Sequence, residues 1–216
     1  MQTQINSLLI GKVESFGPKG QQSAYRKKKF DSSIAITTLG LQGDEQADLT
    51  NHGGEDKALL HYAYDHYAYW QKQKPQHVEH LRQPGAFGEN ISTLGFTEET
   101  VCIGDSYQIG TAKVEISQGR QPCWKLGHRF NDSLMVRAVV ETGRCGWYYR
   151  VLVPGAVCIG DSIQLLQRPN PQWTVSRVFK LLIAGENDLN SITELSELSQ
   201  LSEHWRIRAL KLLTKS

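Results

Sequence analysis

Val101-Cys102-Ile103-Gly104-Asp105-Ser106 recurs without change as Val157-Cys158-Ile159-Gly160-Asp161-Ser162. Apolar alternation follows each copy, through Tyr107 and Ile109 in the first and Ile163 and Leu165 in the second. Gly and Asp tolerate the backbone conformations of a tight turn, so each copy reads as a turn that feeds a strand. Two like strand starts suit a pseudo-repeated β-barrel, while two copies are too few for a solenoid. Cys102 and Cys158 stand between Val and Ile, where cysteine behaves as a small packing residue.

Working outward, Ser7 to Val13, Ser33 to Thr38 and Thr111 to Ser117 read as further strands, and Gly and Pro punctuate the region at short intervals. One helix is predicted inside it, from Lys57 to Gln73, on the spacing of Leu60, Tyr64, Tyr67 and Trp70. His61 and His66 lie five apart on that helix, a spacing that does not suit a zinc pair, so core or surface histidines are expected. Arg168-Pro169-Asn170-Pro171 ends the sheet. Beyond it the period changes. Val175, Val178, Phe179, Leu182 and Ile183 mark a helix that stops at Gly185. Leu189, Ile192, Leu195 and Leu198 mark a second; Trp205, Ala209 and Leu212 mark a third, capped by Ser202. The expectation is a mainly β, α+β chain: a barrel domain over residues 1–168 and a small C-terminal three-helix domain over 172–216. So short a tail is marginal alone and should pack on the barrel or on another subunit, which admits a homodimer.

Composition excludes several classes. The chain has 216 residues, 39% hydrophobic and 21% charged, which suits an ordinary folded protein. A net charge of +2 does not by itself argue for nucleic acid. No apolar run reaches membrane-spanning length, and Met1 to Ile10 shows no secretory pattern. The four cysteines are dispersed with no C-x-x-C pair, against zinc ribbons and iron–sulfur clusters and in favour of reduced thiols in a cytoplasm. G-x-S-x-G, G-x-G-x-x-G and Walker patterns are absent. Arg26-Lys27-Lys28-Lys29 reads as a solvated loop.

The chemistry concentrates in Gly119-Arg120-Gln121-Pro122-Cys123-Trp124-Lys125-Leu126. Pro122 fixes the backbone before the thiol. Arg120, Lys125, His128 and Arg129 supply positive or protonatable groups, which favour the thiolate that binds metals and suit an anionic ligand beside it. Gly53-Gly54 permits close backbone approach to an oxyanion, with Lys57 as an added cation. Asn90, in Phe87-Gly88-Glu89-Asn90, can hydrogen-bond a heterocycle. Arg144 can hold a phosphate, and the aromatics of Trp147-Tyr148-Tyr149 fit a barrel strand.

Taken in order, five blocks resemble the MOSC-domain family. They are Gly40-Leu41-Gln42-Gly43-Asp44, His52-Gly53-Gly54-Glu55-Asp56-Lys57, Phe87-Gly88-Glu89-Asn90, Gln118 to Lys125, and Gly146-Trp147-Tyr148. The helical tail resembles that of the bacterial YiiM-like branch, linked to resistance to 6-hydroxylaminopurine. The resemblance covers nearly the whole chain. It implies a MOSC-type β-barrel in which Cys123 ligates the metal of a molybdenum cofactor. By motif position it makes Lys57, Asn90, Gln118, Arg120 and Arg144 cofactor-binding candidates, and His52 and Asp56 candidates for moving protons. One departure is Gly119, at a position that admits proline in related proteins; a glycine there is expected to loosen the loop holding Arg120.

A soft thiolate suits a metal already held by dithiolene sulfurs, and the cofactor's phosphate suits the cations. The implied activity is the two-electron reduction of an N-hydroxylated purine or related small molecule to its amine. Electrons would come from a separate flavin-type reductase, because no flavin or iron–sulfur motif is visible. Two rivals remain. Cys123 could carry a persulfide in a cofactor or sulfur carrier without turnover. Alternatively, the helical tail could make the chain an interaction module.

Overall fold

A computed structural model describes residues 1–48 and 53–214. In chain order its first elements are β1 (Gln2–Ile10), β2 (Glu14–Ser15), β3 (Gln22–Ser23), β4 (Lys28–Lys29), β5 (Ile34–Thr37), β6 (Gly40–Leu41), β7 (Leu59–Ala63) and α1 (Asp65–Gln73). There follow β8 (Ile91–Thr93), β9 (Ser106–Ile109), β10 (Ala112–Gly119), α2 (Trp124–Phe130), α3 (Met135–Thr142), β11 (Trp147–Val153), β12 (Gly155–Val157) and β13 (Ser162–Gln167). The tail holds α4 (Val175–Phe179), α5 (Leu189–Glu197) and α6 (Glu203–Leu213).

Seven strands close a barrel in the order β13-β9-β10-β11-β7-β8-β1 and back to β13. Neighbours are antiparallel except β7 and β8. That parallel pair is joined through α1, the kind of crossover a parallel connection requires.

The repeated hexapeptide builds the same turn twice. Asp105 Oδ2 accepts from Cys102 N–H at 2.9 Å, and Asp161 Oδ2 accepts from Cys158 N–H at 2.8 Å. Gly104 and Gly160 take φ of 83° and 90°, left-handed values that a side chain rarely tolerates. The two turns feed β9 and β13, which pair with each other and seal the barrel. Cys102 is buried and Cys158 partly so; both act as turn residues.

The helix expected over Lys57–Gln73 is corrected. Glu55–Lys57 is one 3₁₀ turn, Leu59–Ala63 is β7, and α1 starts at Asp65. All five β7 residues are buried, so the strand shows no apolar–polar alternation and its run merged with the helix beyond. His61 lies on β7, hydrogen-bonded to Tyr149 Oη and Thr93 Oγ1; His66 lies on α1 against Glu98. Both are core histidines. The pattern does not announce α2 or α3: Val136, Val139 and Val140 of α3 are β-branched and look like strand residues, and α2 is only seven residues long with Gly127 at its centre.

The tail docks on the barrel. Val175 N–H donates to Val101 O, Ser202 N–H donates to Ser117 O, and Thr174 bridges to Cys102. Ser202 caps α6 by accepting from Trp205 N–H, and α4 runs on into a π-helical segment, Lys180–Ala184, that Gly185 ends at φ 90°. Val178, Phe179, Leu195 and Trp205 belong to the same buried cluster as the barrel's Ile116 and Tyr107, so the apolar core runs unbroken into the tail.

Candidate functional site

β10 ends at Gly119 and hands the chain to Arg120, whose N–H donates to Gly146 O across the barrel wall. Gln121 and Pro122 then lead to Cys123, the N-cap residue of α2, in extended conformation at φ −133°. The thiol is half-buried and stands between two cavities, both of which are lined by Lys57, Gln121, Cys123 and Tyr148.

The first cavity opens among the loops before β4, after β6 and before β8. Tyr25, Lys27, Asp44, Asp48, Phe87, Asn90, Arg120 and Lys125 are among the other residues that line it. Arg120 is 4% exposed. Its Nη2 donates to Tyr25 Oη at 2.9 Å and to Phe87 O at 3.3 Å. Tyr148 lies beside the same guanidinium, yet no well-formed hydrogen bond satisfies buried Nη1. Burial opposes the Arg120 charge, but the phenols of Tyr25 and Tyr148 and the Cys123 thiol outweigh it and hold the pKa above the usual arginine range. Burial pushes the Tyr25 phenol up to about 12, so it stays protonated at neutral pH. Lys125 is buried in the same wall, and no ion-pair partner for it occurs among the described residues. Burial also lowers the pKa of Lys57, against the opposing pull of Asp48 and Asp56.

Beneath these cations lies a buried network that the sequence reading missed. Lys27 Nζ donates to both oxygens of Asp44 at 2.6 Å, with side-chain exposures of 8% and 5%. Asp44 also accepts from Gly11 N–H at 2.7 Å and from Asn90 Nδ2 at 2.8 Å. Lys27 is therefore not part of a solvated basic loop. Desolvation lowers its pKa even against Asp44. Asn90 lines the cavity, but both ends of its amide are committed: Oδ1 accepts from Leu60 N–H, and Nδ2 also donates to Leu9 O. It braces the wall and has little left to offer a heterocycle.

The second cavity lies on the tail side of Cys123. Gln118, Pro122, His204, Trp205 and Arg208 complete its lining. Gln118 is buried; its Nε2 donates to Gly119 O while Oε1 has no partner. Gly119 is not slack, contrary to expectation. It is paired with Trp147 in the sheet, and a Cβ there would lie 2.9 Å from Trp205 Cη2 and 3.3 Å from Val175 Cγ1. The missing side chain is the clearance that lets α6 pack beside the Cys123 loop.

Other expected residues fall elsewhere. Asp56 is held by Arg150 at 2.7 Å, and Arg150 also pairs with Glu115. Asp56 lines neither cavity beside the thiol, so it is not placed to move protons there. Arg144 stacks over Tyr69, 3.7 Å from the ring centroid, and is absent from both linings. The Gly54 N–H donates to Gln46 Oε1 rather than pointing at an oxyanion site. His52 lies outside the described residues. The residues brought together are thus Cys123, Lys57, Gln118 and Arg120, joined by Tyr25, Tyr148 and Lys125. Tyr25 carried no motif signal, whereas Lys125 sat two residues from the thiol.

The family model of the MOSC domain matches residues 48–164. Protein YiiM of Escherichia coli (strain K12) is 42% identical over 158 residues, which cover 73% of this chain and 70% of that protein. The crystal structure of YiiM from Escherichia coli superposes with a TM-score of 0.83 at 30% identity, covering 100% of this chain and 94% of the other. A Gibberella moniliformis protein named "Reductase" is 39% identical over 177 residues, which cover 82% of this chain and 31% of that longer protein. Among the described residues, no helix is long and apolar enough to cross a membrane.

Proposed function

This chain belongs to the MOSC domain family, and from that premise we propose that it is a molybdenum-cofactor-dependent reductase of N-hydroxylated compounds, 6-hydroxylaminopurine among them. The observation that carries the reading is the setting of Cys123. A half-buried thiol stands between two cavities, with Arg120, Lys57 and Lys125 beside it. Arg120 Nη1 is buried without a partner, a donor that a bound anionic group would satisfy. These residues fit the cofactor: a thiolate for a soft metal, and cations, Arg120 with an unsatisfied donor among them, for a phosphate-bearing pterin. When bound, the cofactor supplies the two-electron exchange in which a hydroxylamine, two protons and two electrons give amine and water.

The protein's part is to hold and to shield. Cys123 would ligate the metal. Arg120 and Lys125 would hold the cofactor's oxyanion and polar groups in the first cavity. The Lys27–Asp44–Asn90 network keeps the cavity wall rigid, since each buried charge has its counter-charge or hydrogen bonds in place. Tyr148 borders both cavities; its raised pKa, caused first by burial, keeps its hydroxyl protonated and able to donate. Electrons would come from a separate flavin-type reductase in the cytoplasm, and a homodimer is compatible with the docked tail.

The test is molybdenum content and hydroxylamine turnover for wild type and Cys123→Ala, both made in cells that synthesise the cofactor. Stoichiometric metal and turnover in wild type, both lost in a folded Cys123→Ala, are expected. Metal-free wild type alongside a loaded control molybdoenzyme would sink the reading. Persulfide on Cys123 without turnover would replace it with the carrier function.

A further inference from the structure

We infer that helix α6 completes an oxyanion subsite on the tail side of Cys123, built by Arg208, Lys57 and His204, and that the substrate is the 5′-phosphorylated nucleotide of an N-hydroxylated purine rather than the free base. The inference rests on the reductase reading for the purine, and on the second cavity alone for the anion.

That cavity carries Lys57 and Arg208 and no carboxylate in its lining. Glu55, Asp56 and Glu203 line an adjoining depression, where Asp56 is already paired with Arg150. Arg208 Nε donates to Leu182 O, which fixes the guanidinium to the tail. No carboxylate among the described residues pairs with Arg208. A guanidinium anchored at Nε keeps its two terminal nitrogens for a forked contact with an oxyanion. The same field acts on His204, whose pKa is depressed first by its partial burial and then by Lys57, Arg208 and Lys211. His204 is therefore neutral at neutral pH and can still donate from one ring nitrogen. Gln118 adds a buried Oε1 with no partner. Such an acceptor suits the amino or N–H edge of a purine.

The geometry separates two roles. Arg120 and Lys125 belong to the first cavity only, and His204 and Arg208 to the second only, with Cys123 between them. A cofactor in the first cavity leaves the second for the substrate. The tail's position is not incidental, because Trp205 of the same helix occupies the clearance at Gly119.

Binding of adenosine 5′-monophosphate and adenosine to the full-length protein, measured by calorimetry, tests this without turnover. Both probes resemble the product and cannot be reduced. Wild type should bind the monophosphate about tenfold or more tightly than the nucleoside, the worth of one charge-assisted contact. Arg208→Gln should erase that preference, and Arg208→Lys should retain most of it, which separates charge from packing. Molybdenum content should be unchanged in both variants. Equal affinity for the two probes in wild type would overturn the inference. So would loss of molybdenum in Arg208→Gln, which would give the oxyanion subsite to the cofactor's own phosphate. Failure of the reductase reading looks different: no hydroxylamine turns over, while the monophosphate preference persists.

Discussion

Gly119→Ala is the sharpest probe of how the tail meets the site. Gly119 does not take a positive φ, so its backbone accepts alanine. At such positions the substitution ordinarily stabilises by about 0.4–1 kcal/mol, through the unfolded chain. Here the new methyl would lie 2.9 Å from Trp205 Cη2 and 3.3 Å from Val175 Cγ1. Comfortable carbon contacts lie near ~3.5–4.0 Å, so at least half an ångström must be found. Trp205 and Val175 are both 0% exposed and cannot swing into solvent. Overpacking of this kind costs about 1–3 kcal/mol, which at mid-range exceeds the chain-entropy gain and leaves a net loss of about 1 kcal/mol. Urea unfolding reads the difference. A double-mutant cycle with Trp205→Phe isolates the contact: phenylalanine removes Cη2, so the double variant should be about 1 kcal/mol more stable than the two single losses add up to. The same alanine should weaken monophosphate binding, since α6 carries Arg208. An alanine variant as stable as wild type, or a cycle with no coupling, would refute the idea that glycine is there to admit Trp205.

Two further outcomes follow from buried charge. Asp44→Asn strips Lys27 of its counter-ion at a site where the lysine side chain is 8% exposed, and should cost about 3–5 kcal/mol by equilibrium unfolding; a loss under about 1 kcal/mol would mean that Lys27 escapes to water. Burial lowers the His61 pKa from 6.5 to about 3, so the unfolded chain takes up a proton that the folded one refuses. Its contribution is fully present above pH 6.5 and is lost as pH falls towards about 3, a swing of about 5 kcal/mol. Unfolding curves between pH 7 and 4 should show that slope in wild type and a flatter one in His61→Gln. Equal slopes would locate the acid sensitivity elsewhere.

What could be read from the chain divides by distance along it. The repeated turn was legible because its chemistry is local: each Asp side chain accepts from an N–H three residues back. The tail helices were legible because each is apolar on one face, and Gly185 marks the stop of the first and Ser202 the cap of the third. β7 was not, because a strand buried on both faces has no period to read. The site residues divide the same way. Cys123, Arg120 and Lys125 stand in one octapeptide and were found together. Lys27 looked like one of four solvated cations; its partner Asp44 is 17 residues on, and only packing brings them together. Asp56 looked available for proton transfer until Arg150, 94 residues on, took it. Gly119 carries the point furthest. Within any window around the cysteine it is a flexible residue where rigidity would help. Trp205, in a different helix, turns that same absence of a side chain into a fitted contact. The residues proposed to choose the substrate, His204 and Arg208, flank that tryptophan, so specificity and docking of the tail rest on one helix that no motif near the thiol could reveal.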